Sequence, residues 1–156
     1  MGFQTKRLAV SLQVVIVVLG IFVFAALLLE PTVEGVNANA TSLYDIYFDD
    51  PFLAYIYISF AAVFVGLYSA FRLAGHIGRG NVCSPQSVQA LRTIKYCALM
   101  FAGLIFAGMA FLVLTNRGED DIAGGVAIGL FLIVTSLVIA GVSARLGRKA
   151  ASQIEA

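Results

Sequence analysis

The sequence predicts an all-α integral membrane protein, a four-helix bundle of up-down topology with both termini on the cytoplasmic side. Three observations predict it. Of 156 residues, 60% are hydrophobic and 12% charged, with a mean hydropathy of +0.94, whereas a soluble domain carries about a quarter of its residues as charge. The apolar residues fall into four charge-free blocks, and nine of the ten Lys and Arg lie on one side of the membrane once those blocks are threaded through it. The same figures exclude a disordered chain, which needs low hydrophobicity. They also exclude direct nucleic-acid binding, which needs a basic excess rather than a formal net charge of +1.

Each block is long enough to cross. Roughly 20 residues at 1.5 Å each span a hydrocarbon core of about 30 Å. Leu8 to Leu29 gives 22 residues, Phe52 to Phe71 gives 20, Tyr96 to Thr115 gives 20 and Ile122 to Ala144 gives 23. With their flanks the spans run about 8–29, 52–73, 93–115 and 122–144, and residues 1–156 read as a single transmembrane domain. The first run exceeds the ~7–15 apolar residues of a signal peptide, so Ala38-Asn39-Ala40 is not read as a cleavage site.

Lys and Arg remain on the cytoplasmic side of short loops, which sets the orientation. Lys6 and Arg7 precede the first span, Arg72, Arg79, Arg92 and Lys95 lie between the second and third, and Arg145, Arg148 and Lys149 follow the fourth. Arg117 is the exception. Glu30, Glu34, Asp45, Asp49, Asp50, Glu119, Asp120 and Asp121 fall on the opposite, outer side.

The first outer loop, Glu30 to Pro51, ends in the aromatic stretch Leu43 to Phe48, suited to the membrane interface, and carries the sequon Asn39-Ala40-Thr41. Asp49-Asp50-Pro51 then opens the second helix, since acids favour a helix N-terminus and proline its first position. Ser84-Pro85 is an N-cap pair that starts the third helix well before its span, leaving a cytoplasmic overhang. On that overhang Val88, Leu91 and Lys95 are placed on one side, with Arg92 and Gln89 turned away. Val88, Leu91, Arg92 and Lys95 are the candidate residues for binding a cytoplasmic partner. Gly118 to Asp121 is the outer turn into the fourth span. There Glu119, Asp120 and Asp121 cap the helix, and they are also weak candidates for a divalent cation site, although no recognisable coordination spacing is present.

Small residues recur four apart at Ala62, Gly66 and Ala70, at Gly103 and Ala107, and at Gly125 and Gly129. Such spacing lets membrane helices approach closely, within the bundle or in a homodimer. No charge lies mid-span, which disfavours a proton- or ion-coupled pathway. Paired haem ligands are lacking, because His76 is the one histidine and reads as a solvated side chain of the inner loop. Cys83 and Cys97 are 14 apart and form no CxxC pair, and with His76 they match no zinc spacing. No catalytic motif and no cofactor site emerge, and the chain is expected not to be an enzyme.

The stretch Leu67-Tyr68-Ser69-Ala70-Phe71-Arg72-Leu73, then Ser84 and Ser87-Val88-Gln89-Ala90-Leu91-Arg92-Thr93-Ile94-Lys95-Tyr96-Cys97-Ala98, then Asp120-Asp121 through Gly124 to Ile128-Gly129-Leu130, resembles the bacterial membrane family catalogued as domain of unknown function 2975. The likeness covers roughly Tyr57 to Ala150. Cys83 stands where that family tends to have an aromatic residue, and Ile122-Ala123 replaces its usual Ala-Pro. The resemblance implies no activity or catalytic residues, but it does imply genomic proximity to small helix-turn-helix transcription regulators. The expected function is therefore a non-enzymatic protein of the cell membrane that binds or signals to a cytoplasmic partner such as a regulator of that kind. The alternatives are a small transporter or transport accessory subunit, and an outer-face cation sensor.

Overall fold

In a computed structural model the protein is all-helical, and the structure describes residues 2–34, 42, 44, 51–115 and 122–155. Four helices follow one another: α1 (Gly2–Glu34), α2 (Pro51–Gly78), α3 (Pro85–Thr115) and α4 (Ala123–Glu155). All four are long and apolar enough to cross a membrane. Each takes in one of the charge-free runs, Ile122 of the fourth excepted, and continues beyond it. At 33 residues, α1 and α4 are each about 50 Å long.

Prolines stand at the first position of both α2 and α3, where the missing N–H costs nothing. The cap expected at Ser84 is formed: its Oγ accepts the Ser87 N–H at 3.2 Å and lies 3.0 Å from Ser87 Oγ. Ser87, fully buried, donates in turn to the Asn81 carbonyl at 2.9 Å. The preceding helix ends just as firmly. Gly80 N–H donates to Ile77 O and Asn81 N–H to His76 O, both at 3.0 Å, the paired bonds of a Schellman end with Gly80 in the left-handed region at φ +78°. A Cβ at Gly80 would meet no neighbour, so the backbone alone penalises it. Gly80→Ala should lower stability by about 1–2 kcal/mol, measured as a drop in the thermal unfolding midpoint of the detergent-solubilised protein.

Each helix packs chiefly on the next one in the chain. Between α1 and α2, Ala9 meets Gly78, Gln13 Nε2 donates to Phe71 O at 3.3 Å, Phe24 stacks edge-on against Phe64, and Tyr57 Oη donates to Leu27 O at 3.0 Å. Between α2 and α3, Gly66 faces Cys97, Phe60 meets Phe101 edge-on at 5.0 Å, and Tyr55 reaches Leu104 and Gly108. Between α3 and α4, Met109 and Ile105 close on Gly129, Leu91 on Gly147, and Cys83 Sγ lies 2.7 Å from Gln153 Oε1. The core sits around α3, where Phe101 and Ile105 pack with Ala62 of α2 and are flanked by Phe60, Val63, Leu132 and Ile133. In α1 only Ala9 is buried among the described side chains.

Of the small-residue positions, Ala62, Gly66 and Gly129 lie in helix contacts. Gly103 and Gly125 do not: a Cβ built on either meets nothing within 4 Å. His76 departs from expectation as well. It belongs to the last turn of α2 rather than a solvated loop, it is half-buried, and its Nδ1 is buried without a hydrogen-bond partner among the described residues. The helix simply runs further than the charge-free block, carrying Arg72 and His76 with it.

Candidate functional site

The interhelical contacts gather the basic residues at one end of the molecule. Ala9 against Gly78 brings Lys6 and Arg7 to the end of α2 that carries Arg79, with Arg72 about 9 Å of helix rise back from Gly78, while Leu91 against Gly147 brings Arg92 and Lys95 beside Arg145, Arg148 and Lys149. At this end α3 and α4 project together. Pro85–Lys95 and Arg145–Glu155 lie beyond the charge-free runs, each adding about 16 Å of helix, and the two stay in contact as far as Cys83 and Gln153.

All four candidate partner-binding residues are in this projection, but in an arrangement that differs from the expectation. Val88, Leu91, Arg92 and Lys95 all line one cleft of about 210 Å³ between α3 and α4. Arg92 is therefore not turned away. The spacing 88, 91, 92, 95 forms a single helical stripe, and the groove between two helices admits both flanks of that stripe. Leu91 is buried under Gly147 and forms part of the floor, so it presents no free surface. Val88 and Lys95 are half-buried and Arg92 is exposed.

The opposite wall was missed by sequence reasoning. Ser143, Gly147 and Arg148 of α4 complete the cleft. Ser143, Gly147 and Ala151 repeat the four-residue small spacing, but the stripe begins where the apolar run ends and so lies outside any search confined to the spans. Lys95 Nζ sits 4.4 Å from the centre of the Tyr96 ring, which holds the ammonium at the rim of the cleft by a cation–π contact.

Deeper in the membrane region several hydroxyls bond back to their own helix. Ser59 Oγ donates to Tyr55 O at 2.8 Å, Ser69 Oγ to Val65 O at 2.9 Å and Thr135 Oγ1 to Phe131 O at 2.8 Å. A second cavity of about 340 Å³ opens among all four helices, with an apolar lining apart from Cys97, Thr135 and Ser136. Such a space suits hydrocarbon rather than an ion or polar solute. Cys97 packs against Gly66, about 15 Å by helix rise from His76, so it does not join Cys83 and His76. No metal-binding group of three His, Cys, Asp or Glu occurs among the described residues. Glu119, Asp120 and Asp121 lie outside the described residues, as do the sequon at Asn39 and the acids Asp45, Asp49 and Asp50.

Four long apolar helices with charge confined to their ends define a multi-pass membrane protein. Its sequence matches the profile of the family described as Protein of unknown function (DUF2975) over residues 36–149, and the chain belongs to that family. The match begins ahead of Tyr57 and takes in residues 36–56, which the resemblance in the sequence left out. The chain is also 32% identical over 140 residues, covering 88% of this chain and 85% of the relative, to the Uncharacterized membrane protein YoaS of Bacillus subtilis (strain 168). No solved structure matches.

Proposed function

We propose that this is a non-enzymatic protein of the cell membrane, with both termini cytoplasmic, that docks a cytoplasmic protein on the paired projection of α3 and α4. The observation that carries the reading is the projection itself. Two helices that needed only to cross the bilayer would end near Lys95 and Ala144, yet both continue and stay packed to Cys83 and Gln153. The interhelical contacts, whose residue numbers rise along one helix as they fall along the next, support an up-down arrangement with the projection on the basic, cytoplasmic side. Its exposed residues include Gln86, Gln89, Arg92, Arg148 and Lys149, a polar and basic surface complementary to an acidic partner face. The family resemblance points to a helix-turn-helix regulator as that partner.

Purification of the full-length protein from its native membranes under mild detergent tests this. A regulator encoded nearby should co-purify, and reversing the exposed charges with Arg148→Glu and Lys149→Glu should reduce its recovery at least severalfold. Absence of the regulator from the purified material, together with unchanged target transcripts on deletion of this protein, would refute the reading.

A further inference from the structure

We propose that the α3–α4 cleft is a binding site for a phosphate group, supplied by the headgroup of an anionic phospholipid. Arg92 and Lys95 from one helix and Arg148 from the other converge on a concave space rather than spreading over a flat surface. No carboxylate among the described residues lines it. The guanidinium forks match phosphate oxygens, and the ammonium adds a point charge held in place by Tyr96. Beneath them Leu91 gives the cleft an apolar, buried floor, which strengthens attraction between charges above it.

Ser143, 6% exposed, lines the cleft beside the cations, where its hydroxyl can donate to a phosphate oxygen.

The level of the cleft points to a lipid as the source. Lys95 directly precedes the charge-free run from Tyr96, and Ser143 lies at the end of the run closing at Ala144, so the cations stand where hydrocarbon gives way to headgroups. Further into the membrane on the Lys95 face, Leu99 and Phe106 are 42% and 61% exposed, offering an apolar track for an acyl chain. The cleft shares Arg92 and Arg148 with the proposed docking surface, but lipid binding is tested with no partner protein present, so either reading can fail alone.

The full-length protein, delipidated and reloaded in detergent with phosphatidylglycerol or phosphatidylcholine, is to be compared by native mass spectrometry with Arg92→Gln/Lys95→Gln/Arg148→Gln and with the control Arg72→Gln/Arg79→Gln. Wild type should retain phosphatidylglycerol over phosphatidylcholine. Loss of each cleft cation should weaken retention about fivefold, and loss of all three on the order of 100-fold, while the control, with exposed arginines outside the cleft, should be unaffected. A conservative Arg92→Lys/Arg148→Lys protein should keep most of the preference.

Millimolar inorganic phosphate separates the sources. Persistence of the bound lipid supports the headgroup, and displacement supports the same phosphate site loaded from solution. The proposal is overturned if wild type shows no preference, if the triple variant keeps it, or if the control loses as much as the cleft variant.

Discussion

Gly108→Ala should destabilise the protein by about 1–3 kcal/mol, although alanine is ordinarily the better helix residue by about 0.8–1.0 kcal/mol. A Cβ at position 108 would sit 2.9 Å from Tyr55 Cε1, inside contact distance of a rigid ring. That ring has little freedom to retreat, because Tyr55 Oη donates to the Leu104 carbonyl at 2.7 Å, one turn before Gly108 on the same helix. The glycine and the tyrosine are therefore one fitting. Tyr55→Phe removes only the hydrogen bond and should cost about 0.6 kcal/mol, the average for such bonds in membrane helices. Tyr55→Leu combined with Gly108→Ala should cost less than the sum of the two single changes. Unfolding of the four proteins in mixed micelles measures this coupling, and strict additivity would rule it out.

Gly78→Ala should loosen α1 from α2. The new Cβ would lie 2.8 Å from Ala9 Cβ, and neither methyl can rotate away. Ala9 is the one buried side chain of α1 among those described, so displacement at that point lifts the helix from its seat on α2. An overpacking cost of about 1–3 kcal/mol follows. The readout is trapping by a short bis-maleimide cross-linker between cysteines introduced at Phe24 and Phe64, whose rings lie 6.3 Å apart. Trapping should fall several-fold with Gly78→Ala and return when Ala9→Gly is added. Unchanged trapping in the single variant would show that α1 is not seated through this contact.

These two glycines show what the sequence disclosed and what it withheld. Charge-free runs located the four helices, because a charge in hydrocarbon is costly wherever it falls and its absence is legible one residue at a time. Ser84-Pro85 was equally legible, since a cap depends on neighbouring residues. Close packing depends on which face a helix turns inward, and here the four-residue spacing misled: Gly103 opens outward while Gly108, outside the pattern, takes the tyrosine.

The continuation of α4 beyond Ala144 was hidden for a different reason. Arg145 to Gln153 is too charged to register as a span, yet it has no proline and its Ala150 and Ala151 favour helix. Half of the cleft was lost with it. Arg92, Lys95 and Leu91 were nameable from α3 alone, but Ser143, Gly147 and Arg148 acquire meaning only once the two helices lie together.

The packing of each helix chiefly on its predecessor also governs how the molecule is made. As synthesis releases one apolar segment after another into the bilayer, every new helix finds its main neighbour already waiting, and no early segment must be held apart for a distant late one. Contacts so local in the chain form quickly and expose few unsatisfied surfaces on the way. The last docking, α4 on α3, is also the one that builds the second wall of the basic cleft, so that site comes into being only when the chain is nearly finished.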